Sequence, residues 1–473
     1  MISSGGGKGD LRAVEVLLGD QDVKRCAQAK LAFGMAALES DLGGLHLFLV
    51  GGDAFGEAVH LPPGLPEFDV IALHGVWSWV SETNRSVIVD LIRRRLAPGG
   101  VVYLSYNAQV GWAAAAPLRD LLALHADVAG SALQGPAGRI DAALDFAESL
   151  AAAGALHFQR NPVLADRLRS LRGQDRRYLA HEYLARDWRP QSFAQVADRL
   201  AEAKLAFGAS AHLLDHVDAV NLTDEGMAFL TGISHPVLRE TARDYLVNQA
   251  FRRDIFTKGA RRLSPAAQAE RLDATRFALI APPGKDLHLN GPLGDITPRA
   301  ATFGDIMTIL AETVGAPRAL GELRAHPLLA AETRATVDTT LILLAAAGYI
   351  APVPEQPNSA ARRERCLRLN AALCERARWS GDIQHLASPV IGGGVAVGRL
   401  DQLFLRARAA GHADAAALAR ATTADVLAPA GLQLMKDGAA LTDPGDLLGE
   451  LTAKAGEFLD LRLPLLKRLQ VTA

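Results

Sequence analysis

Residues 65–112 constrain the fold more than any other stretch: LPEFDVIALHGVWSWV, a helical segment, then LAPGGVVYLSYNAQVGW. Asp69-Val70-Ile71-Ala72-Leu73 is a short apolar run of the kind a parallel strand shows when both its faces are covered. Ser81 is placed to cap a helix whose apolar positions are Val87, Ile88, Leu91, Ile92 and Leu96. Pro98-Gly99-Gly100 predicts the end of that helix, because Pro cannot continue it and Gly takes the left-handed turn. Val101-Val102-Tyr103-Leu104-Ser105 predicts the next strand. In an open α/β sheet the functional groups sit at the carboxyl ends of the strands. Here those ends carry His74, Trp77, Trp79, Tyr106 and Asn107.

A chain of 473 residues is long enough for two to four domains. Hydrophobic residues make up 49%, which points to a folded, helix-rich chain rather than a disordered one. A formal net charge of −2 gives no reason to expect nucleic acid or an anionic membrane as partner. Cys26, Cys366 and Cys374 stand in no paired metal spacing, which fits a reduced, cytoplasmic setting and no metal site. The start, MISSGGGKGD, lacks the apolar core of a signal peptide, and residues 341–347 are too few to span a bilayer.

The β-α-β unit, with "FDVI" opening one strand and "L-x-P-G-G" before the next, resembles the second half of a class I S-adenosylmethionine (SAM) methyltransferase domain. Long segments further on resemble, in order, bacterial methyltransferases that carry a methyltransferase regulatory domain. They include GWAAAAPLRDLLALHA, DRRYLAHEYL, AKLAFGASAHLLDHVDAVNLT and LRETARDYLVNQAFRRDIFTKGARRLS. The architecture is similar to bacterial lysine methyltransferases that act on outer-membrane proteins. That resemblance implies SAM as cofactor, a protein substrate, a helical insert that forms a homodimer, and direct in-line methyl transfer to a lysine amine.

The expected fold is a Rossmann-like α/β domain with an incomplete start, followed by mainly helical and α+β domains. Its divisions fall at 1–112 for the methyltransferase-like domain, 113–215 for the helical insert and 216–300 for the middle domain. Residues 301–353 resemble a winged helix, and 364–473 form a helical C-terminal domain after a linker at 354–363. Arg324 and His326 are offset by Glu322, which favours protein contact over nucleic acid in the winged segment.

The front of the chain resembles the cofactor half of the same domain. Gly5, Gly7 and Gly9 match a glycine loop that lets backbone approach the cofactor. On its own such a run is more often a loose tail. Ser3 stands where the family has an acid, and only residues 1–2 precede the loop as strand, which predicts weaker SAM binding than in relatives with a full first strand. Residues 14–18 read as the second strand, with Asp20 or Asp22 after it for the ribose hydroxyls. Residues 45–50 read as the third, and Asp53-Ala54-Phe55 resembles the adenine-contact segment. His74 completes the cofactor set. Trp77, Tyr106 and Asn107 are the candidates for the reacting end, since an aromatic wall suits a sulfonium or a methylated ammonium. Core packing is the competing role for these aromatic residues.

Other constellations have plainer readings. His181-Glu182-Tyr183 suits acid–base work, although a His and Glu satisfying each other at a helix end is the commoner case. His212 and His216 lie one helical turn apart without a third ligand. Arg239, Arg243, Arg252, Arg253, Arg261 and Arg262, interleaved with acids, read as a solvated, salt-bridged helix face. The alternative to an enzyme is a non-catalytic methyltransferase relic whose helical and winged parts mediate assembly.

Overall fold

The computed structural model describes residues 66–473 apart from 132, 134, 283–288, 297–299, 313–315, 356–358, 430–433, 437–438 and 442. It also describes two upstream strands, β1 (Ala13–Leu17) and β2 (Leu45–Leu49). Gly5, Gly7, Gly9, Asp20, Asp53, Ala54 and Phe55 lie outside the described residues.

One six-stranded sheet organises the first half. With β3 (Phe68–Leu73), β4 (Leu96–Asn107), β5 (Leu205–Ser210) and β6 (Phe251–Lys258), its order is β2-β1-β3-β4-β6-β5. The first four strands in that order are parallel, and β6 runs antiparallel to both β4 and β5. Such a sheet puts the carboxyl ends of β3 and β4 side by side.

Two sequence readings change. β1 pairs with both β2 and β3, so residues 13–17 take the place of the first strand of a doubly wound sheet, not the second. The run Gly5–Gly9 therefore precedes this strand instead of following it. The sheet also runs past residue 112, because β5 and β6, from the expected insert and middle segments, complete it.

Helix α1 (Glu82–Arg95) begins as predicted, with the Ser81 hydroxyl accepting from the Asn84 N–H. It buries Ile88, Val89, Leu91 and Ile92 against the sheet. It ends earlier than Pro98 suggests. Leu96 already pairs with Phe68, and the register then jumps so that Val70 faces Val101. Residues 97–100 bulge out of the ladder, with Gly99 at φ +84°. The proline and glycines thus shape the entry of β4, not the helix end.

Residues 113–190 form a helical unit with its own core. α2 (Ala116–Val128), α3 (Gly135–Ala152), α4 (Val163–Arg172) and α5 (Arg176–Leu184) bring together Leu118, Leu122, Leu144, Leu164, Leu179 and Tyr183. The chain returns through α6 (Phe193–Ala201) into β5, and through α7 (Pro236–Leu246) into β6.

The rest packs around a separate core that includes Ile306, Leu344, Phe404 and Phe458. Three short strands, Arg276–Leu279, Arg318–Ala319 and Ile350–Val353, form an antiparallel sheet beside three helices, Ala300–Glu312, Leu320–Arg324 and Arg334–Ala346. Ser359 caps a helix from Ala360, so the expected linker ends before residue 360. Gly392 (φ +64°) turns the hairpin His385–Ser388/Gly393–Ala396. Among the described residues no helix is long and apolar enough to cross a membrane.

Candidate active site

The carboxyl end of β3 opens at once to the surface. His74 and Gly75 are exposed, and Gly75 has φ +66°, which a side chain would resist. The Gly75 N–H donates to Ser105 Oγ at 2.8 Å, and His74 Nδ1 lies 3.2 Å from the Tyr103 hydroxyl. These bonds hold the β3 end against β4. His74 is the one member of the expected cofactor set within the described residues.

The three residues expected at the reacting end are buried beneath this edge. Trp77 is fully covered, and its indole N–H donates to Gln191 Oε1 at 2.5 Å. The Asn107 N–H donates to Ser78 Oγ at 2.8 Å, and its carbonyl accepts from the Gln191 N–H at 3.0 Å. Gln191 thereby ties Trp77 to Asn107. Tyr106 turns toward β6 and donates its hydroxyl to Asp254 at 2.9 Å. Burial, with the Asp254 carboxylate adding to it, pushes its phenol far above the usual range, so it stays protonated.

Arg252 of β6 stands behind Tyr106. Its guanidinium reaches Asp254 (2.9 Å), Asp244 (2.5 Å) and Glu240 (3.1 Å), and it is buried with both aspartates. The basic series read as a solvated helix face is therefore split. Arg239 and Arg243 lie on α7, whereas Arg252 and Arg253 lie on β6, and Arg252 points into the core. A strand of alternating burial, not a helix, accounts for its place.

Beyond β4 a cleft of about 900 Å³ opens between the sheet edge and the helical unit. Residues 110–115 form one wall, and Asn161, Arg167, Tyr178, Glu182 and Tyr183 form the other. The Arg167 guanidinium lies 4.2 Å from the centre of the Trp112 ring and donates to the Tyr183 hydroxyl at 3.1 Å. Trp112 meets Trp188 edge-on at 4.8 Å, and Trp188 in turn lies 6.4 Å from Trp79 and carries Arg119 at 4.7 Å. His181 Nδ1 is 3.6 Å from Glu182 Oε1, and Glu182 faces the cleft. His212 and His216 instead hold their own loop, through Asp215 at 3.2 Å and the Ser210 carbonyl at 2.8 Å. Sequence reasoning missed Trp112, Arg167 and Tyr178 as cleft residues, and Trp188 as the buried ring that backs Trp112. They come from separate helices and loops, so no spacing links them.

The floor of the cleft is fastened from behind. The Ala108 N–H donates to the Ala250 carbonyl at 2.9 Å, and the Gly111 N–H to the Gln249 carbonyl at 2.8 Å. Residues 247–252 thus hold the loop after β4.

Residues 175–258, which contain α5, α6, β5, α7 and β6, match the model of a family described as "Predicted methyltransferase regulatory domain". The Synechocystis protein sll1526 is 36% identical over 421 residues, 89% of this chain and 81% of that relative. The chain belongs to the family of this protein. It is also similar to RP789 of Rickettsia prowazekii, 24% identical over 189 residues, 39% of this chain and 33% of that one. The fold is shared with PKMT2 from Rickettsia typhi in complex with AdoHcy. That match has a TM-score of 0.62 at 18% identity and covers 97% of this chain and 89% of the other. A second PKMT2 structure gives 0.61 at 16%, over 96% and 88%. The resemblance read from residues 175–184, 203–223 and most of 238–264 therefore falls on the segment that the family model matches, which ends at residue 258.

Proposed function

We propose that this protein is a SAM-dependent methyltransferase that methylates a lysine amine of a protein. One observation carries the reading: the aromatic cleft, with Glu182 in its wall, opens beside residues 110–115, just past the carboxyl end of the parallel strand β4. That is the edge at which open α/β sheets place their ligands. The match to the methyltransferase regulatory domain model and the PKMT2 fold support the same reaction class.

Bound SAM would supply an electrophilic methyl on its sulfonium. Among the described residues, His74 and Gly75 stand at the sheet edge that would receive it, and the exposed turn leaves room for a ligand. Asp20, Asp53, Ala54 and Phe55, which follow the two upstream strands, remain the proposed partners, whereas Gly5, Gly7 and Gly9 precede β1 and so follow no strand of this edge. In the cleft, Glu182 attracts the lysine ammonium and the two tyrosines offer it aromatic surface, while Trp112, covered by Arg167, shapes the wall. The amine must lose a proton before it attacks, and the Glu182 carboxylate in the cleft wall is the proposed acceptor, with Asp166 the other carboxylate that lines the cleft. Trp77, Tyr106 and Asn107 act from beneath, by fixing the edge on which the amine is aligned. Alignment is the main contribution, because in-line transfer needs a near-attack geometry.

The sheet and three helices of residues 276–353 are read as a winged helix used for protein contact. The helical unit of 113–190 is read as the face of a homodimer, and the protein as cytoplasmic. The test is calorimetric titration with SAM and AdoHcy, then incubation with methyl-labelled SAM and a purified outer-membrane protein. Binding and label on lysine are expected. No binding favours the non-catalytic relative, and label on another side chain refutes the lysine assignment.

A further inference from the structure

Residues 247–252 separate two cavities. Asn248 lines the cleft together with Gly111 and Trp112. Val247, Gln249 and Arg252 line a second cavity of about 300 Å³. Asn248 holds a left-handed backbone, φ 49°, at the crossing point. The carbonyls of Gln249 and Ala250 are the two that grip the cleft floor. Any shift of this segment reaches the cleft directly.

The second cavity offers both signs of charge. Its wall carries Asp215, Asp218, Glu240 and Asp244, and also Arg239, Arg243 and Arg252. Two of the guanidiniums are engaged. Arg252 is held by Asp244, Asp254 and Glu240, and Arg243 by Asp218 and the Asp215 carbonyl. Arg239 is exposed and makes no side-chain hydrogen bond or ion pair among the described residues. Asp218, Glu240 and Asp244 each engage an arginine through one oxygen, and the other oxygen makes no hydrogen bond or ion pair among the described residues; Asp244 is buried and Asp218 half-exposed. Apolar surface is scarce, limited to groups such as Phe207 and Val247. A purely anionic ligand would meet the carboxylates, and a purely cationic one would leave Arg239 unused.

We propose that this cavity binds a small zwitterionic amino acid, with its carboxylate on Arg239 and its ammonium among Asp218, Glu240 and Asp244, and that its occupant acts on the cleft through residues 247–252. Four carboxylates against three guanidiniums favour an amino acid with a second cation, such as lysine. The binding does not depend on what reaction the cleft performs.

The test uses the full chain and calorimetric titration with L-lysine. Putrescine, which carries only ammonium groups, and succinate, which carries only carboxylates, are the comparisons. A saturable lysine isotherm is expected, with both comparisons and the Arg239→Ala variant weaker by about tenfold or more. Arg239 is exposed and unpaired, so its removal leaves the fold intact. Backbone hydrogen exchange should slow at residues 108–112 and 247–252 when lysine is present. No lysine binding, putrescine binding as tightly as lysine, or unchanged affinity in Arg239→Ala overturns the site. Binding without slowed exchange at residues 108–112 overturns its link to the cleft.

Discussion

Gly111 and Ala250 meet backbone to backbone: a Cβ built on Gly111 would stand 2.6 Å from the Cα of Ala250. No real side chain tolerates that distance, so glycine is required by space rather than by conformation. The contact is the point where the sheet's last turn rests on the segment that divides the two cavities.

Gly111→Ala should therefore push the cleft floor away from residues 247–252. The expected cost is about 1–3 kcal/mol of stability, as for other overpacked sites. Methyl transfer should fall as well, since residues 110–115 line the cleft. Gly449→Ala is the control. It lies in the helix Pro444–Glu457 with nothing within 4 Å of an added Cβ. That change should stabilise by about 0.5–1 kcal/mol. Urea denaturation of both variants checks the pair, and equal effects would mean that the Gly111 contact yields freely.

Trp112 and Trp77 should separate on function. Trp77→Phe keeps an aromatic ring in the core and loses the bond to Gln191. It should cost about 1 kcal/mol of stability and change acceptor binding little. Trp112→Ala removes the ring that Arg167 covers in the cleft wall. It should raise KM for the acceptor about tenfold. Steady-state kinetics on the two variants decides. If KM follows Trp77 and not Trp112, the acceptor lies elsewhere along the sheet edge.

What was readable in the sequence was local. β3, α1 and the Ser81 cap follow from periodicity and one hydroxyl, and the structure has all three. The end of α1 was misplaced because a strand partner outside the window, Phe68, draws Leu96 out of the helix. β6 was hidden by its charges. FRRDIFTK resembles a solvated face until Asp244 and Glu240, from another element, surround Arg252. The cleft was the least legible part. His181-Glu182-Tyr183 stood out, but Trp112, Arg167 and Tyr178 join Glu182 and Tyr183 only through tertiary packing, and nothing in their spacing distinguishes them from core or surface.

The ion cluster around Arg252 makes a strong stability prediction. Arg252→Met leaves Asp244 and Asp254 buried without their cation. Breaking a buried pair from one side costs about 3–5 kcal/mol. Tyr106 should be affected too, since its Asp254 partner is held by the same guanidinium. Equilibrium unfolding of Arg252→Met measures the loss. A loss below about 1 kcal/mol would mean that water reaches the cluster and replaces the arginine.

Acidification should stabilise this protein over part of the pH range, through Asp244. Burial pushes its carboxyl up to about 6, Asp254 and Glu240 add to the shift, and Arg252 opposes it. An unfolded Asp titrates near 3.9. The folded chain therefore holds this proton more tightly than the unfolded chain. The contribution is fully present below about pH 4 and is lost as pH rises through about 6. A difference of about two pH units is worth roughly 3 kcal/mol at most. Arg252 stays charged throughout, held by the surrounding acids against its own burial, so it adds no slope. Carboxylates such as Asp90 and Glu148, which arginine hydrogen bonds hold below their ordinary range, act in the opposite sense at lower pH. The gain is thus clearest on the fall from about pH 6 to about pH 4.5, before those carboxylates act. Asp244→Asn removes the titration and should flatten the curve in that window. Urea denaturation of the native chain and the variant at several pH values gives the two slopes. Parallel curves would show that Asp244 titrates as an ordinary, solvated carboxyl.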